Sequence, residues 1–242
     1  MRYSIIIPTL NEEKLLADLL RQLTDPVLKR KYEYEIIISD GGSTDSTVSI
    51  ARKYADKILL HNDGEKQNIS QGRNAGISAA TGEILIFFNG DVTIDDPEKL
   101  MDCVEMEFKN SEYLAMTTSV KIFPDEEILS DKIFLGFYNL YFHFLNLIGV
   151  GMGRGECHII KKHVLDKVGH YSEKLIAAED FDLYKRIRKH GKILFKRNII
   201  IYESPRRYRK HGHPYIFFSW LLNSAALIFR NTSASKEWEQ VR

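Results

Sequence analysis

Short apolar runs alternate with amphipathic segments along the first 110 residues. The apolar runs are YSIIIP (3–8), YEIIIS (34–39), KILLH (57–61) and EILIFFN (83–89). Their length and near-continuous apolar character are typical of strands that are buried on both faces. The segment NEEKLLADLLRQL, which follows the first run, repeats leucine at helical spacing and predicts an amphipathic helix.

Polar and glycine-containing turns mark the ends of the predicted helices. GGSTDSTVSIARKYA predicts a helix capped by Ser43 or Thr44, and Gly82 is predicted to stop the helix ISQGRNAGISAA. Pro97 suits the first turn of a further helix. Strands that alternate with helices predict an α/β fold with a mostly parallel central sheet and flanking helices. Because no linker divides the chain, we expect one domain with a helical C-terminal elaboration.

Composition and charge narrow the class of protein. The 242 residues carry a formal net charge of +1, which gives no reason to expect a nucleic-acid partner. The two cysteines form no CxxC pair, so a zinc knuckle is excluded and reduced thiols are expected. The first apolar run is too short for a signal peptide and is interrupted by Pro8 and Asn11, which predicts a cytoplasmic location.

Two apolar stretches in the second half favour contact with a membrane or with the core. Residues 133–153 contain no Asp, Glu, Lys or Arg, and residues 214–229 are similar but shorter. The first has the length of a membrane span, but its asparagines, histidine and glycines weaken that interpretation. Both are aromatic-rich and close to the basic segment 206–213, as in helices that lie on a membrane surface. Core helices fit equally well, so peripheral attachment to the cytoplasmic face of a membrane stays an alternative.

Polar side chains follow three of the predicted strands. Pro8 to Asn11 end the first strand, Asp40 ends the second, and Asn89-Gly90-Asp91 end the fourth. Each group alone could form a turn or cap a helix. Ligands of open α/β sheets lie beyond the carboxyl ends of the strands, where these groups meet. The sequence therefore predicts a binding site at this edge of the sheet.

Four motifs, in this order, resemble those of the family 2 glycosyltransferases. The motifs are SIIIPTLNEE, IIISDGGSTDST, GRNAGISAATGEILIFFNGD and AAEDFDLYKRIRKHG. The resemblance implies a GT-A type, Rossmann-like nucleotide-diphospho-sugar transferase fold over residues 1–205. It implies a donor half over about 1–110, an acceptor half over about 111–205, and a basic loop with an apolar C-terminal helix over 206–242, packed on the same domain.

The activity that this family resemblance implies is an inverting, metal-dependent sugar transfer. The donor would be a nucleoside-diphosphate sugar, and the acceptor would be a hydroxyl or phosphate on a sugar or a lipid carrier. The residues that match the family's donor-binding motifs are Pro8, Thr9, Asn11, Glu12, Asp40, Arg73, Asn89, Gly90 and Asp91. Among them, Asp40 would receive the nucleotide base and Arg73 would lie near the diphosphate. The alternatives are an Asx turn at Asp40 and a helix-surface arginine at position 73.

Asn89-Gly90-Asp91 stand where the family has an Asp-x-Asp motif. The resemblance implies that Asp91 holds Mn²⁺ or Mg²⁺, which bridges the two phosphates of the donor. Asn89 replaces the first Asp; its amide can bond a ribose hydroxyl but adds no charge. His211 or His213, in RRYRKHGH, could supply a third metal ligand, as a downstream histidine does in some family members, and His211 is the favoured candidate. The arginines of that segment could instead cover the diphosphate, bind anionic lipid or form a solvated loop.

The segment AEDFDLYKRIRKHG provides the candidate base. On a helix, Asp180 shares the apolar face with Leu183, Tyr184 and Ile187, whereas Glu179 falls on the side predicted to be solvated. Asp180 also matches the last acid of the family's Glu-Asp motif, so we expect it to take the proton of the acceptor hydroxyl. A simple preference of acids for a helix N-terminus is the alternative.

The acceptor residues and the competing functions follow from weaker signals. Arg154 and Glu156, in a glycine-rich loop, and Glu179 are predicted to contact the acceptor. A nucleotidylyltransferase would need a glycine-rich basic loop after the first strand, and PTLNEEKLL is acidic and lacks glycine. A catalytically weak or inactive nucleotide-sugar-binding protein is the second alternative, favoured by the missing first Asp.

Overall fold

A computed structural model describes residues 2–61, 64, 67–230 and 232–235, and within them eight strands form one sheet. The strands are β1 (Tyr3–Thr9), β2 (Tyr34–Asp40), β3 (Lys57–Leu60), β4 (Ile84–Phe88), β5 (Val92–Ile94), β6 (Tyr113–Ile122), β7 (Cys157–Lys161) and β8 (Lys192–Glu203). Their order in the sheet is β3-β2-β1-β4-β7-β6-β8-β5.

Helices cover both faces of this sheet. They are α1 (Leu16–Leu23), α2 (Pro26–Tyr32), α3 (Thr47–Ala51), α4 (Ile69–Ala79), α5 (Pro97–Cys103), α6 (Leu129–Leu147), α7 (Lys162–Val168), α8 (Glu179–Arg188), α9 (Arg206–His211) and α10 (His213–Arg230). A π-helical turn, Val104–Phe108, continues α5.

The first half of the sheet is parallel and the second half is mixed. Strands β3, β2, β1 and β4 all run in one direction. Strand β7 is antiparallel to both of its neighbours, β4 and β6, while β6 and β8 are parallel. The short β5 closes the far edge antiparallel to β8. The predicted parallel α/β architecture is therefore confirmed, with antiparallel pairings where the chain returns to the sheet after α6 and at β5.

The apolar strand runs fill two cores because successive side chains of a strand point to opposite faces. Ile5, Ile7 and Ile86 belong to one cluster of buried residues, whereas Ile6 and Phe87 belong to another. All five side chains are fully buried. These two cores hold the strands in register, so the residues at the ends of the strands have fixed positions.

Some helix ends agree with the sequence signals and others do not. Pro97 opens α5 as predicted, with Asp96 as its cap. The prediction that Ser43 or Thr44 caps the next helix is wrong, because α3 begins at Thr47 and Ser43 bonds the Asp40 carboxylate instead. The predicted stop at Gly82 is also wrong, since α4 ends three residues earlier. A Cβ at Gly82 would lie 2.5 Å from the Ser4 nitrogen, so this glycine allows close approach to β1.

The second half of the chain adds the helices that the apolar stretches predicted. α6 packs on β6 and β8, and α10 packs beside α6 through the Tyr138 and Trp220 rings. Residues 206–211, predicted as a basic loop, form the short helix α9. Within the described residues, no helix combines the length and hydropathy that a membrane crossing requires. The tail beyond residue 235 lies outside the described residues.

Candidate active site

The carboxyl edge of the parallel strands collects loops from both halves of the chain. Thr9 and Asp40, the last residues of β1 and β2, lie side by side in the sheet. At the end of β4, Phe88 pairs with Cys157, so the loop before β7 reaches the same edge. Val92, just after Asp91, pairs with Glu203 at the end of β8. The register thus brings chain segments more than 100 residues apart together around one site.

Asp40 organises the loop that follows β2. Its Oδ2 accepts hydrogen bonds from the backbone nitrogens of Gly42 (3.1 Å) and Ser43 (2.8 Å). Its Oδ1 accepts from the hydroxyls of Ser43 (2.5 Å) and Thr9 (3.1 Å). This is the Asx-turn arrangement that was the alternative for this residue. Contact between Asp40 and a nucleotide base stays a prediction.

Asn11 and Glu12 connect the loop after β1 to the loop after β2. Asn11 has a positive φ of 56°, a conformation that asparagine tolerates better than most residues. Its side-chain oxygen accepts from the Thr44 nitrogen (2.8 Å), and its own nitrogen donates to Ser43 Oγ (2.8 Å). The Glu12 nitrogen donates to Thr47 Oγ1 (2.8 Å). The two loops therefore form one hydrogen-bonded wall.

Arg73 lies in the interior, in contrast to the alternative of a helix-surface arginine. Only 1% of the residue is exposed, and its guanidinium donates to Glu179 Oε1 (2.8 Å), Asn89 Oδ1 (3.1 Å) and the Gly155 carbonyl (2.9 Å). The Tyr171 ring lies 5.0 Å from the guanidinium carbon. Arg73 Nε is buried with no hydrogen-bond partner among the described residues, which is costly unless a ligand or water satisfies it.

Asp91 is held beside the end of β8 by an ion pair. The Arg206 Nη2 nitrogen lies 2.9 Å from Asp91 Oδ2 and 3.2 Å from Glu12 Oε2. Gly90 permits this packing, because a Cβ there would lie 3.0 Å from Glu12 Cγ. Two carboxylate oxygens therefore converge on one cationic group, and hard divalent cations prefer such oxygen ligands. The oxygen donors around Asp91 fit a divalent metal, whose remaining ligands would have to come from donor phosphate and water.

A larger metal cluster is absent from the part of the chain that the structure describes. No three His, Cys, Asp or Glu side chains there are grouped so that they could hold an ion. His211 stacks on the Tyr215 ring at 4.9 Å, and its role as a metal ligand stays a prediction. His213 is instead bound to the buried Asp131 through Nε2 (2.8 Å).

The adjacent acids at the start of α8 have different surroundings. Glu179, expected on a solvated side, is buried and pairs with Arg73, so that expectation is wrong. Helical periodicity does not predict the side on which Glu179 lies, because Glu179 is the first residue of α8. The residue before it, Ala178, has a left-handed backbone conformation. Asp180 is half-buried, and its Oδ2 lies 3.5 Å from a Cβ placed on Gly155. Desolvation and the neighbouring Glu179 charge raise the pKa of Asp180 to about 7.

Arg154 and Glu156 belong to a buried cluster of charges. Arg154 is 2% exposed and donates to Glu156 Oε2 (3.1 Å) and Glu203 Oε1 (3.2 Å). Its guanidinium lies over the rings of Phe142 (5.7 Å) and Trp220 (5.5 Å). Burial would raise the pKa of Glu156, but the Arg154 charge outweighs it and the pKa is lowered. Contact of Arg154 and Glu156 with the acceptor stays a prediction.

Glu203 is a member of this cluster that the sequence predictions missed. It accepts from the Tyr208 hydroxyl (2.7 Å), and burial together with the Glu156 charge raises its pKa well above the usual range. Glu203 ends a strand as Asp40 does, but this strand end is recognised only in the structure. Tyr171, whose hydroxyl lies 2.7 Å from the buried His158 Nδ1, carries no sequence signal either.

The three acids from distant motifs lie around one continuous set of contacts. The Asp40 carboxylate accepts a hydrogen bond from the Thr9 hydroxyl. Thr9 in turn lies against Gly90, the neighbour of Asp91, because a Cβ placed on Gly90 would be 3.4 Å from Thr9 Cγ2. Asn89 bonds Arg73, and Arg73 and Asp180 both lie against Gly155. The set combines residues of the carboxyl edge and its loops with two helical residues, Arg73 in α4 and Asp180 in α8. The arrangement can bind an anionic donor beside a carboxylate with a raised pKa.

Known proteins with similar sequences and folds are sugar transferases. The profile described as "Glycosyl transferase family 2" matches residues 4–169. The poly(ribitol-phosphate) beta-N-acetylglucosaminyltransferase TarS of Staphylococcus aureus is 34% identical over 94 residues, 38% of this chain and 16% of TarS. A PGL/p-HBAD biosynthesis glycosyltransferase of Mycobacterium bovis is 33% identical over 103 residues, 40% of this chain and 38% of that protein. This chain therefore matches well under half the length of these curated relatives.

The fold has a solved counterpart in the mannosyltransferase PcManGT from Pyrobaculum calidifontis, whose structure is a complex with GDP-Man and Mn²⁺. The TM-score is 0.74 at 20% identity, and the match covers 95% of this chain and 64% of the other. At this identity the likeness shows the fold alone. Because the family profile spans well over half of the chain, from β1 through α7, the protein belongs to glycosyl transferase family 2 and has the GT-A fold.

Proposed function

We propose that this chain is an inverting glycosyltransferase that moves a sugar from a nucleoside-diphosphate sugar to an acceptor hydroxyl or phosphate. The observation that carries the proposal is the convergence of Arg73, Asp91 and Asp180 at one edge of the sheet, in contacts that run through Asn89 and Gly155. The Arg73 guanidinium suits a diphosphate, the Asp91 carboxylate suits a divalent cation, and the Asp180 carboxylate can accept a proton.

The donor side of the site is formed by the loops after β1, β2 and β4. Pro8, Thr9, Asn11 and Glu12 would lie along the nucleoside, with Asp40 at the base. The buried Arg73 guanidinium, which has one unsatisfied N–H, is a charge-assisted partner for the diphosphate. Asn89 would hydrogen-bond a ribose hydroxyl of the donor. Gly90 would let the backbone approach the donor closely.

Asp91 would hold Mn²⁺ or Mg²⁺, and a bound ion would neutralise the charge that develops on the leaving diphosphate. The convergence of Asp91 and Glu12 on one cationic nitrogen supports this assignment. His211 is proposed as an additional ligand from the downstream segment. The Mn²⁺ in the PcManGT complex agrees with a divalent ion in this fold.

Asp180 would accept the proton of the attacking hydroxyl. Its Oδ1 accepts from the Phe181 nitrogen (2.7 Å), and its Oδ2 has no hydrogen-bond partner within the described residues. A pKa of about 7 keeps a substantial deprotonated fraction at neutral pH, which suits a general base. The buried Arg73–Glu179 pair beside it fixes the start of α8.

The acceptor side would be formed by Arg154, Glu156 and Glu179 together with the apolar helices. Arg154 lies between the site and the rings of Phe142 on α6 and Trp220 on α10. The outer faces of these two helices expose large apolar side chains. We therefore propose an acceptor carried on a lipid, and peripheral attachment of the chain to a membrane surface through these faces.

A panel of nucleotide sugars tests the proposed activity. The chain is incubated with Mn²⁺, each donor and a lipid or oligosaccharide acceptor mixture, and products are identified by mass spectrometry. We expect one donor class to yield a glycosylated acceptor and a free nucleoside diphosphate in equal amounts. Binding of a donor without any transfer would instead favour an inactive nucleotide-sugar-binding protein.

A further inference from the structure

Arg206 occupies the place at Asp91 where a bound cation would lie. One nitrogen of its guanidinium contacts both Asp91 (2.9 Å) and Glu12 (3.2 Å). The side chains are 19% exposed for Arg206, 8% for Glu12 and 30% for Asp91, so the group is partly removed from solvent. Charges in such a setting interact more strongly than on an open surface.

The backbone around Arg206 is held at both ends. Glu203, three residues before it, pairs with Val92 in the sheet, and Pro205 precedes it directly. Three residues after it, Arg209 forms two hydrogen bonds with the buried Asp131 (2.9 and 2.6 Å). Because α9 is fixed in this way, Asp91 can be released by a change of the Arg206 side chain alone.

Release of Arg206 without a ligand would be unfavourable. Glu12 and Asp91 would both lose this partner while still partly shielded from water, and breaking a shielded charge pair is costly. A donor diphosphate changes the balance, since it offers new oxygens to the guanidinium. A divalent ion then compensates the carboxylates that the guanidinium leaves.

We propose that Arg206 is an internal cation that exchanges with the divalent metal. In the ligand-free chain its guanidinium pairs with Asp91 and Glu12. On donor binding the metal would take Asp91 and the guanidinium would move to the diphosphate. This inference rests on the proposed function, because it assumes that Asp91 is the metal ligand. Its consequence is that metal and nucleotide bind cooperatively, and that the metal alone binds weakly.

Manganese binding by Arg206→Gln tests the exchange with a readout that is independent of turnover. Free Mn²⁺ is measured by electron paramagnetic resonance, first with the chain alone and then with a saturating nucleoside diphosphate. Without nucleotide, the variant should bind Mn²⁺ about tenfold more tightly than the unmodified chain, because the competing cation is gone. With Mn²⁺ present, its affinity for the nucleoside diphosphate should fall about tenfold, since one phosphate contact is lost.

The opposite signs of these two effects separate exchange from a general loss of structure, which would weaken both. Arg21→Gln, which removes an exposed arginine paired with Asp18, is the matched control and should change neither affinity. Unchanged or weaker Mn²⁺ binding by Arg206→Gln without nucleotide would overturn the exchange. If Asp91→Asn binds Mn²⁺ as well as the unmodified chain does in the presence of nucleotide, the metal assignment of the proposed function fails instead.

Discussion

Glu179 and Asp180 are neighbours in sequence, but their surroundings give them different chemistry. Glu179 is buried and forms an ion pair with Arg73. Asp180 keeps one oxygen without a hydrogen-bond partner within the described residues, and desolvation with the nearby Glu179 charge raises its pKa to about 7. A carboxylate in that state can accept a proton near neutral pH, whereas an ion-paired one cannot do so readily.

The pH dependence of transfer tests the role of Asp180. Only the deprotonated carboxylate accepts a proton, so kcat/KM should rise with pH and level off above about 7. Asp180→Asn should lose this rise and lower kcat by a factor on the order of 10²–10⁴, while donor affinity is kept. Asp182→Asn, which removes an acid paired with Arg186 on the same helix, should keep both the rise with pH and the unmodified kcat. A wild-type rate in Asp180→Asn would assign the base to another residue.

A motif or a strand end in the sequence marks individual residues as candidates for the site. Asp40, Asp91 and Asp180 are candidates of this kind, whereas Glu203 is recognised as a strand end only in the structure. The partners of these residues could not be predicted. The contact of Arg206 with Asp91 spans 115 residues and depends on the pairing of β5 with β8. No local pattern in the chain contains that information.

Strand β2 is joined to its neighbours by a network at the end of the sheet opposite the site. Glu35, near the start of β2, bonds Ser4 of β1 (2.7 Å), Thr81 (2.6 Å) and Lys57 of β3 (2.8 Å). Burial would raise the pKa of Glu35, but the bonds from Lys57, Thr81 and Ser4 outweigh it and lower the pKa to about 2. The carboxylate therefore stabilises the parallel part of the sheet.

Replacement of Glu35 tests this network. Because the folded pKa is depressed from 4.5 to about 2, the stabilisation is complete above about pH 5 and is lost as the pH falls towards 2. Glu35→Gln should lower the free energy of unfolding by about 2–3 kcal/mol at pH 7 and by much less near pH 2.5, measured by urea denaturation. Glu112→Gln, in an exposed pair with Lys192, is the control. An equal loss at both pH values would contradict the electrostatic origin.

Elements were predicted best where one local signal dominates. The buried apolar runs predicted β1 to β4 to within a residue or so at each end. The basic segment RRYRKH gives no apolar helical stripe, yet it forms α9, because Arg209 binds Asp131 and Tyr208 binds Glu203. Tertiary contacts between distant residues therefore decide the structure of this segment.

The whole molecule presents an apolar surface on one side. On α6 the exposed side chains follow helical spacing, and on α10 they form a second row. The exposed residues of this surface are Ile133, Phe137, Leu140, Tyr141, Phe144 and Leu147 on α6, and Tyr215, Phe217, Phe218, Leu221, Leu222, Ile228 and Phe229 on α10. The buried Tyr138 contacts exposed rings of both helices, Phe137 and Phe217, so the two rows adjoin.

We propose that this apolar surface contacts a lipid surface, because exposed basic side chains lie around it. Residues 206–230 contain five Arg or Lys and no Asp or Glu, although Arg206 and Arg209 already pair with carboxylates elsewhere in the chain. Lys210 and Arg230 are exposed near the two ends of α10, and Lys132 is exposed on α6. Anionic headgroups would neutralise these cations while the aromatic rings enter the interface. A second copy of this chain, packed on the same surface, would place two basic segments against each other, which is electrostatically unfavourable.

Vesicle binding tests the lipid assignment. The chain should co-sediment with phosphatidylglycerol-containing vesicles. Phe137→Ser with Phe218→Ser should weaken partitioning by at least about 100-fold, since each phenylalanine that enters the lipid interface contributes about 1.5–3 kcal/mol. Val27→Ser with Met106→Ser removes two exposed apolar side chains elsewhere and should leave binding unchanged. No binding to vesicles, combined with a dimer that the phenylalanine variant loses, would assign the surface to self-association.

The most direct test of the central claim is a thermal-shift measurement with nucleoside diphosphates, with and without Mn²⁺. If the carboxyl edge is a donor site with Asp91 as metal ligand, one nucleoside diphosphate at about 100 times its Kd should raise Tm by roughly 5–10 °C in the presence of Mn²⁺. Asp91→Asn should lose most of this shift. Either a Tm that no nucleoside diphosphate shifts, or a full shift of Asp91→Asn with Mn²⁺, would contradict a donor site with Asp91 as metal ligand.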